Sequence, residues 1–406
     1  CQGICKVDKY CFDVKPVDAL CDVDWNNTSL VITSEYYVEV YQKIKEDKFL
    51  SKKIQEVFYF ADRNTWFYEE YNEKYKDDDL KDIILFRSGP RDESANFCTD
   101  FADNAKAFFD YLINKHYNDR YKLVWIVQNP EDYRDVDIYN VEFLAAKWAE
   151  TEAESERNRY YFYLCHAKYI FFTDAMSFCR LSRSDQVRIQ LWHGQGFKGR
   201  AINSRFGARC EYMPVMSECY KEIHKDIFGM RDEQVIITGI PKPDWIFEGV
   251  KQEILYEIGI PEAQTLIFWL PTFRKAKGER EILNSDTIQN NIGLPIVNDL
   301  REMALLNSIL KEQNAVLVLK LHPEAIDIRQ IEFSNIVQID NEVLAKKHLH
   351  INQLLAHADA LISDYSSVAI DYLLLDKPIA FAADDLKEYE ENRGFVFSTI
   401  EDWLPG

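Results

Sequence analysis

The run Gln190-Leu191-Trp192-His193-Gly194-Gln195-Gly196-Phe197-Lys198-Gly199-Arg200 sets an imidazole on a glycine-rich turn. Gly194, Gly196 and Gly199 let backbone N–H groups approach an anion, and Lys198 and Arg200 add positive charge. Between residues 180 and 209 stand Arg180, Arg183, Arg188, Lys198, Arg200, Arg205 and Arg209 against Asp185 alone. In a chain of formal charge -20, such a cationic stretch marks a place for phosphates or anionic lipid headgroups. A solvated basic loop is the plain alternative.

Three further strings sit where apolar runs end. In Lys320-Leu321-His322-Pro323, strand alternation puts Lys320 and His322 on one side, suited to donating to a phosphate or nucleotide. In Ser363-Asp364-Tyr365-Ser366-Ser367, two serines precede an apolar helix. Free N–H groups and hydroxyls there make an anion site, although ordinary capping explains serines equally well. His322 in the same half of the chain tips the reading toward phosphate. Pro271-Thr272-Phe273-Arg274 ends another strand, and the planar fork of Arg274 suits a diphosphate. Asp385, Tyr389, Arg393 and Gly394 follow the last strand, where a solvated helix face is the bland reading. Gly194, Gly196 and Gly199 also spell G-x-G-x-x-G after a strand, with Glu218 about twenty residues on, as in nicotinamide-dinucleotide sites. His193 in the turn and the arginines of residues 200–211 argue against that assignment.

The elements that position these strings read as alternating apolar runs and amphipathic segments. Strands are expected at 82–88, 122–127, 141–146, 169–174, 187–192, 212–217 and 235–239, with a helix at 96–115. After Pro241-Lys242-Pro243 a second series follows: strands at 265–271, 315–323, 335–339, 359–364 and 378–383, helices at 298–313, 351–357 and 367–376. Continuous apolar runs are what strands buried on both faces of a parallel sheet require. The expected fold class is therefore α/β, with two Rossmann-like parallel-sheet domains, 81–245 and 250–406, facing a cleft. Ligands in such folds sit outside the carboxyl ends of strands.

Residues 1–75 read as a partial Rossmann-like unit: a loop to about residue 26, a strand at 27–34, a helix at 35–47 and a strand at 56–61. A charged linker follows at 75–82. The start without Met and the turn residues Trp403-Leu404-Pro405-Gly406 suggest a piece of a longer chain. At 406 residues, 47% hydrophobic and 29% charged, the composition is that of a globular protein. The excess of Asp and Glu speaks against a nucleic-acid partner. No apolar run reaches the ~20 residues of a membrane helix. The nine cysteines include no C-x-x-C pair, so reduced thiols in a cytoplasmic protein are expected.

Seven strings in this order resemble the CDP-glycerol glycerophosphotransferase family, which includes bacterial teichoic-acid primases and polymerases. They are Trp192-His193-Gly194 with Lys198, Ser217-Glu218, TGIPKPD (238–244), PTFR (271–274), KLHP (320–323), SDYSS (363–367) with Asp371, and Asp385, Tyr389, Arg393-Gly394. Lys242 stands where such proteins commonly have Arg. The resemblance implies a GT-B-like fold whose C-terminal domain holds a CDP-activated donor. The N-terminal domain would present the acceptor and a catalytic histidine. On that basis His193 is the expected base and His322 the second catalytic group. Arg274, Lys320, Ser366, Ser367, Asp364 and Thr272 would hold the donor phosphates. Gly194, Lys198, Arg200 and Arg205 would hold the acceptor, with Glu218, Asp371, Asp385 and Arg393 as further candidates.

The implied reaction passes a glycerol phosphate or related polyol phosphate to an acceptor hydroxyl and releases CMP. Its partners would be a CDP-polyol donor and a lipid-linked or polyol-phosphate acceptor, met in the cytoplasm or peripherally at the inner face of the membrane. No cluster of Asp, Glu or His has metal-ligand spacing, so no protein-bound metal is expected, while Mg2+ carried by the diphosphate is compatible. The rival readings are a GT-B glycosyltransferase using a nucleotide sugar and a non-catalytic nucleotide-binding module of a polysaccharide assembly.

Overall fold

The computed structural model describes residues 3–7, 10–14, 20, 23–24, 30–32, 44, 46, 52, 57–59, 63–88, 100–145, 153–173, 183–197, 210–272, 294–320, 333–397 and 399–404. By its internal contacts the chain divides into two compact units, Cys1–Lys74 and Tyr75–Gly406.

In the first unit β1 (Gly3–Val7) and β2 (Tyr10–Val14) form an antiparallel hairpin. The sequence reading made this stretch a loop. Tyr-Cys-Phe-Asp-Val does carry aromatic and β-branched side chains in alternation, as strands require, and Gly-Ile-Cys-Lys-Val adds the β-branched Ile4 and Val7. β3 (Leu30–Ile32) and β4 (Val57–Tyr59) pair in parallel, at the two places where strands were expected. The expected helix at 35–47 falls largely outside the described residues. Helix α1 (Arg63–Tyr75) then leads to β5 (Lys81–Arg87), so only five residues, 76–80, form the charged connection.

The second unit holds two five-stranded parallel sheets and one two-stranded parallel pair. The first is built from β5, α2 (Asp103–Asn114), β6 (Lys122–Val127), β7 (Val141–Ala145), α3 (Glu154–His166), β8 (Ala167–Phe172) and β9 (Val187–Gln190). Its strand order is β7-β6-β5-β8-β9. An isolated bridge between Ile189 and Tyr212 extends it toward β10 (Met213–Val215), α4 (Glu218–Phe228) and β11 (Val235–Ile237). The chain then passes through a short 3-10 turn at Lys242–Asp244, α5 (Trp245–Glu248) and α6 (Gln252–Glu257). The second sheet follows: β12 (Thr265–Trp269), α7 (Leu300–Glu312), β13 (Ala315–Lys320), β14 (Ile336–Ile339), α8 (Asn341–Lys346), α9 (Ile351–Leu355), β15 (Ala360–Ser363), α10 (Val368–Tyr372), β16 (Ile379–Phe381) and α11 (Leu386–Arg393). Its order is β14-β13-β12-β15-β16.

Both sheets thus have the order 3-2-1-4-5 in their own numbering, with every registered pair parallel. Each has a switch point between its first and fourth strands, where the winding reverses and a crevice opens outside the carboxyl ends. The strands sit within a few residues of the expected ranges. Helices α3 and α4 were not expected. The α3 sequence, ESERNRYYFYLCH, buries Tyr160, Tyr161, Leu164, Cys165 and His166, a face of aromatics and polar groups rather than a clean apolar stripe.

The cores differ in kind. In the first sheet Phe86 stacks between Trp125 and Phe171 at centroid distances of 5.3 and 5.7 Å, and Phe101 meets Trp125 edge-on at 4.8 Å. In the second sheet the two sides are lined by aliphatic residues such as Val316, Val318, Leu354 and Leu361, and Leu317, Leu319 and Leu310.

Candidate functional site

The turn after β9 leaves its own sheet and seats on the other one. Trp192 adopts φ 54 and Gly194 φ 141, so the backbone reverses sharply around His193. A bulky residue in the left-handed region is a real outlier and points to a constrained site. Trp192 is held by Phe228 of α4, ring centroids 5.0 Å apart, and lies 4.4 Å from the His193 ring.

Gly196 is required by proximity. A Cβ there would lie 2.9 Å from both Cα and Cβ of Ser367, at the start of α10 in the second sheet's half. One at Gly194 would meet Ser367 Oγ at 3.0 Å and Lys242 Nζ at 3.2 Å. Phe197, the next residue, is buried among Ala369, Ile370, Phe381, Leu386, Phe395 and Ile400 of that second half. Its carbonyl accepts from the Val396 N–H at 2.9 Å. Burying this ring stabilises the docking by about 2–3 kcal/mol.

Asp103 and Asn104, at the start of α2, meet the same turn. His193 Nδ1 is 3.3 Å from Asp103 Oδ2, and Lys242 Nζ is 3.3 Å from Asp103 Oδ1. Lys242 Nζ also donates to the His193 carbonyl. Asn104 Nδ2 donates to the carbonyls of Leu191 and Trp192 at 3.2 and 2.9 Å, and its Oδ1 accepts from the Lys242 N–H at 3.0 Å. From the second half, Asn352 Nδ2 reaches the Lys242 carbonyl at 3.4 Å and Asp371 Oδ2 at 3.1 Å. Lys242 is therefore a hub that binds α2, the His193 turn and α9 at once. His193 and Asp103 keep 20% and 21% of their side-chain surface, enough to meet a substrate.

The titrations follow from this packing. Burial alone would raise the Asp103 carboxyl, but the Lys242 ammonium, then the His193 hydrogen bond and charge, hold it well below the usual carboxylate range. His350 is pushed down to about 3, by burial first and then by Lys242 and Lys320, against the pull of Asp103. It serves as a neutral cap of α9, its Nδ1 accepting from the Asn352 N–H at 3.2 Å. Lys320, at the end of β13, is lowered to about 8 by burial, with Asp340 opposing. Asp371 is raised by burial, with Lys242 and Asn352 pulling it back.

The structure thus brings His193, Gly194, Ser367 and Asp371 into one region. Ser366 precedes Ser367 at the start of α10, its Oγ accepting from the Val368 N–H at 3.5 Å. Thr272 and Asp364 meet at the second sheet's switch point, between β12 and β15. Asp364 Oδ2 accepts from the Thr272 N–H at 2.7 Å and from its hydroxyl at 2.8 Å. This pair, Asp364 fully buried and Thr272 half-buried, buckles two strand ends together. Asp385 accepts from the Tyr365 hydroxyl at 3.0 Å, and Tyr365 stacks on Tyr389 at 4.2 Å, which braces α11. Glu218 is exposed in the first turn of α4. His322, Arg274, Lys198, Arg200 and Arg205 lie outside the described residues. So does the Arg393 side chain, although its backbone ends α11. No helix opens within residues 191–197, as the dinucleotide fingerprint would need.

Sequence reasoning gave no role to Asp103, Asn104, Lys242, His350 or Asn352. Lys242, between two prolines, read as a joint, and its crowded neighbourhood on a short turn is visible only in three dimensions. Among the described residues no group of three or more His, Cys, Asp or Glu is placed to hold a metal ion.

Comparison with known proteins agrees with this architecture. A teichoic acid ribitol-phosphate polymerase, TarK, of Staphylococcus aureus is 29% identical over 262 residues, 59% of this chain and 47% of the relative. A teichoic acid glycerol-phosphate primase of Bacillus subtilis is 33% identical over 188 residues, 46% of this chain and 43% of the relative. The chain spans about half the length of the curated relatives it matches. The structure of the wall teichoic acid polymerase TagF superposes with a TM-score of 0.60 at 21% identity, over 92% of this chain and 84% of that one. At that identity the likeness bears on the fold, which is GT-B-like. The family described as CDP-glycerol:poly(glycerophosphate) glycerophosphotransferase matches residues 82–406. With its paired parallel sheets and its histidine turn bridging them, the chain belongs to that family.

Proposed function

We propose that this protein transfers glycerol phosphate, or a related polyol phosphate, from a CDP-activated donor to an acceptor hydroxyl in the synthesis of a teichoic-acid-like cell-surface polymer. The observation that carries the reading is the seating of the His193 turn on Ser367. It puts a partly exposed imidazole of one half against the strand ends of the other. In the reaction the acceptor oxygen attacks the β-phosphorus, the bond to CMP breaks, and the hydroxyl proton passes to His193. An alcohol is a weak nucleophile, so a positioned base contributes on the order of 100- to 10,000-fold. His322 and Arg274 are assigned to the charge that develops on the phosphates, together with Lys320, Ser366 and Ser367. Residues 250–406 form the donor side and residues 81–245 the acceptor side. There Lys198, Arg200 and Arg205 would hold an anionic acceptor. Any Mg2+ is placed on the donor's diphosphate. TagF supports the donor class, since a histidine-to-asparagine variant of it has been soaked with CDPG. No helix among the described residues is long and apolar enough to cross a membrane. We place the protein on the cytoplasmic side, touching the membrane peripherally where the acceptor is lipid-linked.

The test is CMP release from CDP-glycerol and CDP-ribitol with a polyol-phosphate or lipid acceptor, by the wild type and by His193→Ala. Turnover by the first and a loss of at least about 100-fold in the second is expected. Turnover of a UDP- or GDP-sugar in place of a CDP-polyol would sink the assignment of substrate class. Binding of CDP without turnover of any donor would leave a non-catalytic module.

A further inference from the structure

An imidazole that accepts a proton must present one bare nitrogen to the substrate, and something must decide which. Neutral histidine carries a single N–H, and a carboxylate can only accept. With Asp103 Oδ2 3.3 Å from Nδ1, the tautomer with hydrogen on Nδ1 is the one that forms a bond, which leaves Nε2 bare. We propose that Asp103 is the positioning residue for His193, holding the ring in this orientation and tautomer and stabilising the imidazolium that forms as the acceptor loses its proton. This rests on the reading of His193 as the base.

Three features besides the distance support it. Asp103 has φ 61 as the first residue of α2, a conformation that costs a non-glycine residue about 1 kcal/mol or more and persists only where the surroundings enforce it. Lys242 faces the other oxygen at 3.3 Å and at the same time donates to the His193 carbonyl, so one cation joins the carboxylate to the histidine's own backbone. Asn104 fixes the two carbonyls that precede His193. The start of α2 therefore holds the turn from three sides. The charged and titratable groups that act with Asp103 are Lys242 from the joint between the halves, and His350 and Asp371 from the second half. His350 is neutral, Lys242 is engaged by Asp103, and Asp103 is a carboxylate that meets Nδ1 of the ring directly.

The left-handed backbone makes clean tests available, because Asn and Gly both tolerate it. Asp103→Asn and Asp103→Gly should keep the local backbone and fold, with a lowered thermal midpoint because Lys242 loses its counter-charge. Each should lower kcat for CMP release by on the order of 100-fold with KM nearly constant. Removing an anion beside a base also favours its neutral form, so the acid limb of the profile should move to lower pH. Asp103→Glu should recover part of the rate. Unchanged kcat, or a loss confined to KM with the acid limb fixed, would overturn the proposal. An independent readout is the 15N spectrum of labelled histidine, with the His193 signal identified by its absence from His193→Gln. The wild type should carry hydrogen on Nδ1 and Asp103→Gly a mixture of tautomers. The same tautomer ratio in both would also overturn it. If no CDP-polyol is turned over by the wild type, the reaction is wrong, and the spectra still decide what Asp103 does to His193.

Discussion

The two five-stranded sheets of the second unit share one strand order and use it differently. In the half built on β12–β16, polar groups at the strand ends bond mostly to one another: Thr272 with Asp364, Tyr365 with Asp385, Asn352 with Asp371. In the half built on β5–β9 they reach outward. Asp103 and Asn104 bind the His193 turn and Lys242, and the turn itself sits on Ser367 of the other half. One half is a closed receptacle over an aliphatic core. The other, over an aromatic core, projects the His193 turn across the seam. The same topology gives both, so the difference lies in which residues occupy the strand ends and the first helical turns.

The strongest way to break this contrast is to loosen the projecting turn. Phe197→Ala empties a ring-sized site in the second half and should cost about 4 kcal/mol of stability by chemical denaturation. It should also lower kcat, because His193 is four residues away on the same turn. Phe109→Ala, buried wholly within the first half, should cost a similar amount of stability. Its kcat, measured below its melting range, should stay close to that of the wild type. Equal losses of kcat in both would mean that the turn is not what links the halves.

Lys242 tests the seam from below. Lys242→Met leaves the half-buried Asp103 carboxylate without its cation, which should cost about 3 kcal/mol. Adding Asp103→Asn should recover part of that loss, and the coupling in the double-mutant cycle measures the pair. Additive losses would mean that the Lys242 side chain acts through its hydrogen bond to the His193 carbonyl and not through Asp103.

Gly196→Ala brings a methyl group to 2.9 Å from the Ser367 backbone and should cost about 2 kcal/mol while displacing His193 from the seam. Gly229→Ala is the control within the first half. There φ is 61 but nothing lies within 4 Å, so the cost is about 1 kcal/mol of backbone strain with no change in rate. A rate for Gly196→Ala equal to that of the wild type would separate close packing from function.

Most of this framework is visible in the sequence. Strands such as KLVWIV and AVLVLK are buried on both faces, so their apolar runs are unbroken and their ends can be located within a few residues. His193 and Ser367 stand at those ends, which is why they could be singled out. Asp103 could not. It precedes His193 by ninety residues, and its role depends on a left-handed backbone that the string Phe-Ala-Asp-Asn-Ala does not announce. Lys242 likewise becomes a hub only once α2, the turn and α9 converge on it. Thr272 and Asp364 illustrate the opposite problem. Their types suit phosphate binding, yet the parallel pairing of β12 with β15 sets them against each other. Helix α4 was within reach, since Ser217 caps its start and Gly229, in the left-handed region, ends it.

Acid titration offers the finest distinction between the halves, because their two seam carboxylates are shifted in opposite directions. Asp103 is held below its ordinary range, so it contributes stability that is present above the unfolded value, about 4, and is lost as pH falls toward its folded value. Asp103→Asn should therefore be less stable than the wild type at neutral pH, with the gap closing in strong acid. Asp371 is held above its ordinary range by burial, so its contribution is full below about 4 and is lost as pH rises through its folded value. Asp371→Asn retains an oxygen for Asn352 and removes that loss. It should gain on the wild type as pH rises through the folded-state value of Asp371. Urea midpoints of the three proteins between pH 3 and pH 8 give both slopes. Slopes of the same sign would mean that the two halves treat their carboxylates alike, and that Lys242 serves both equally rather than compensating Asp103.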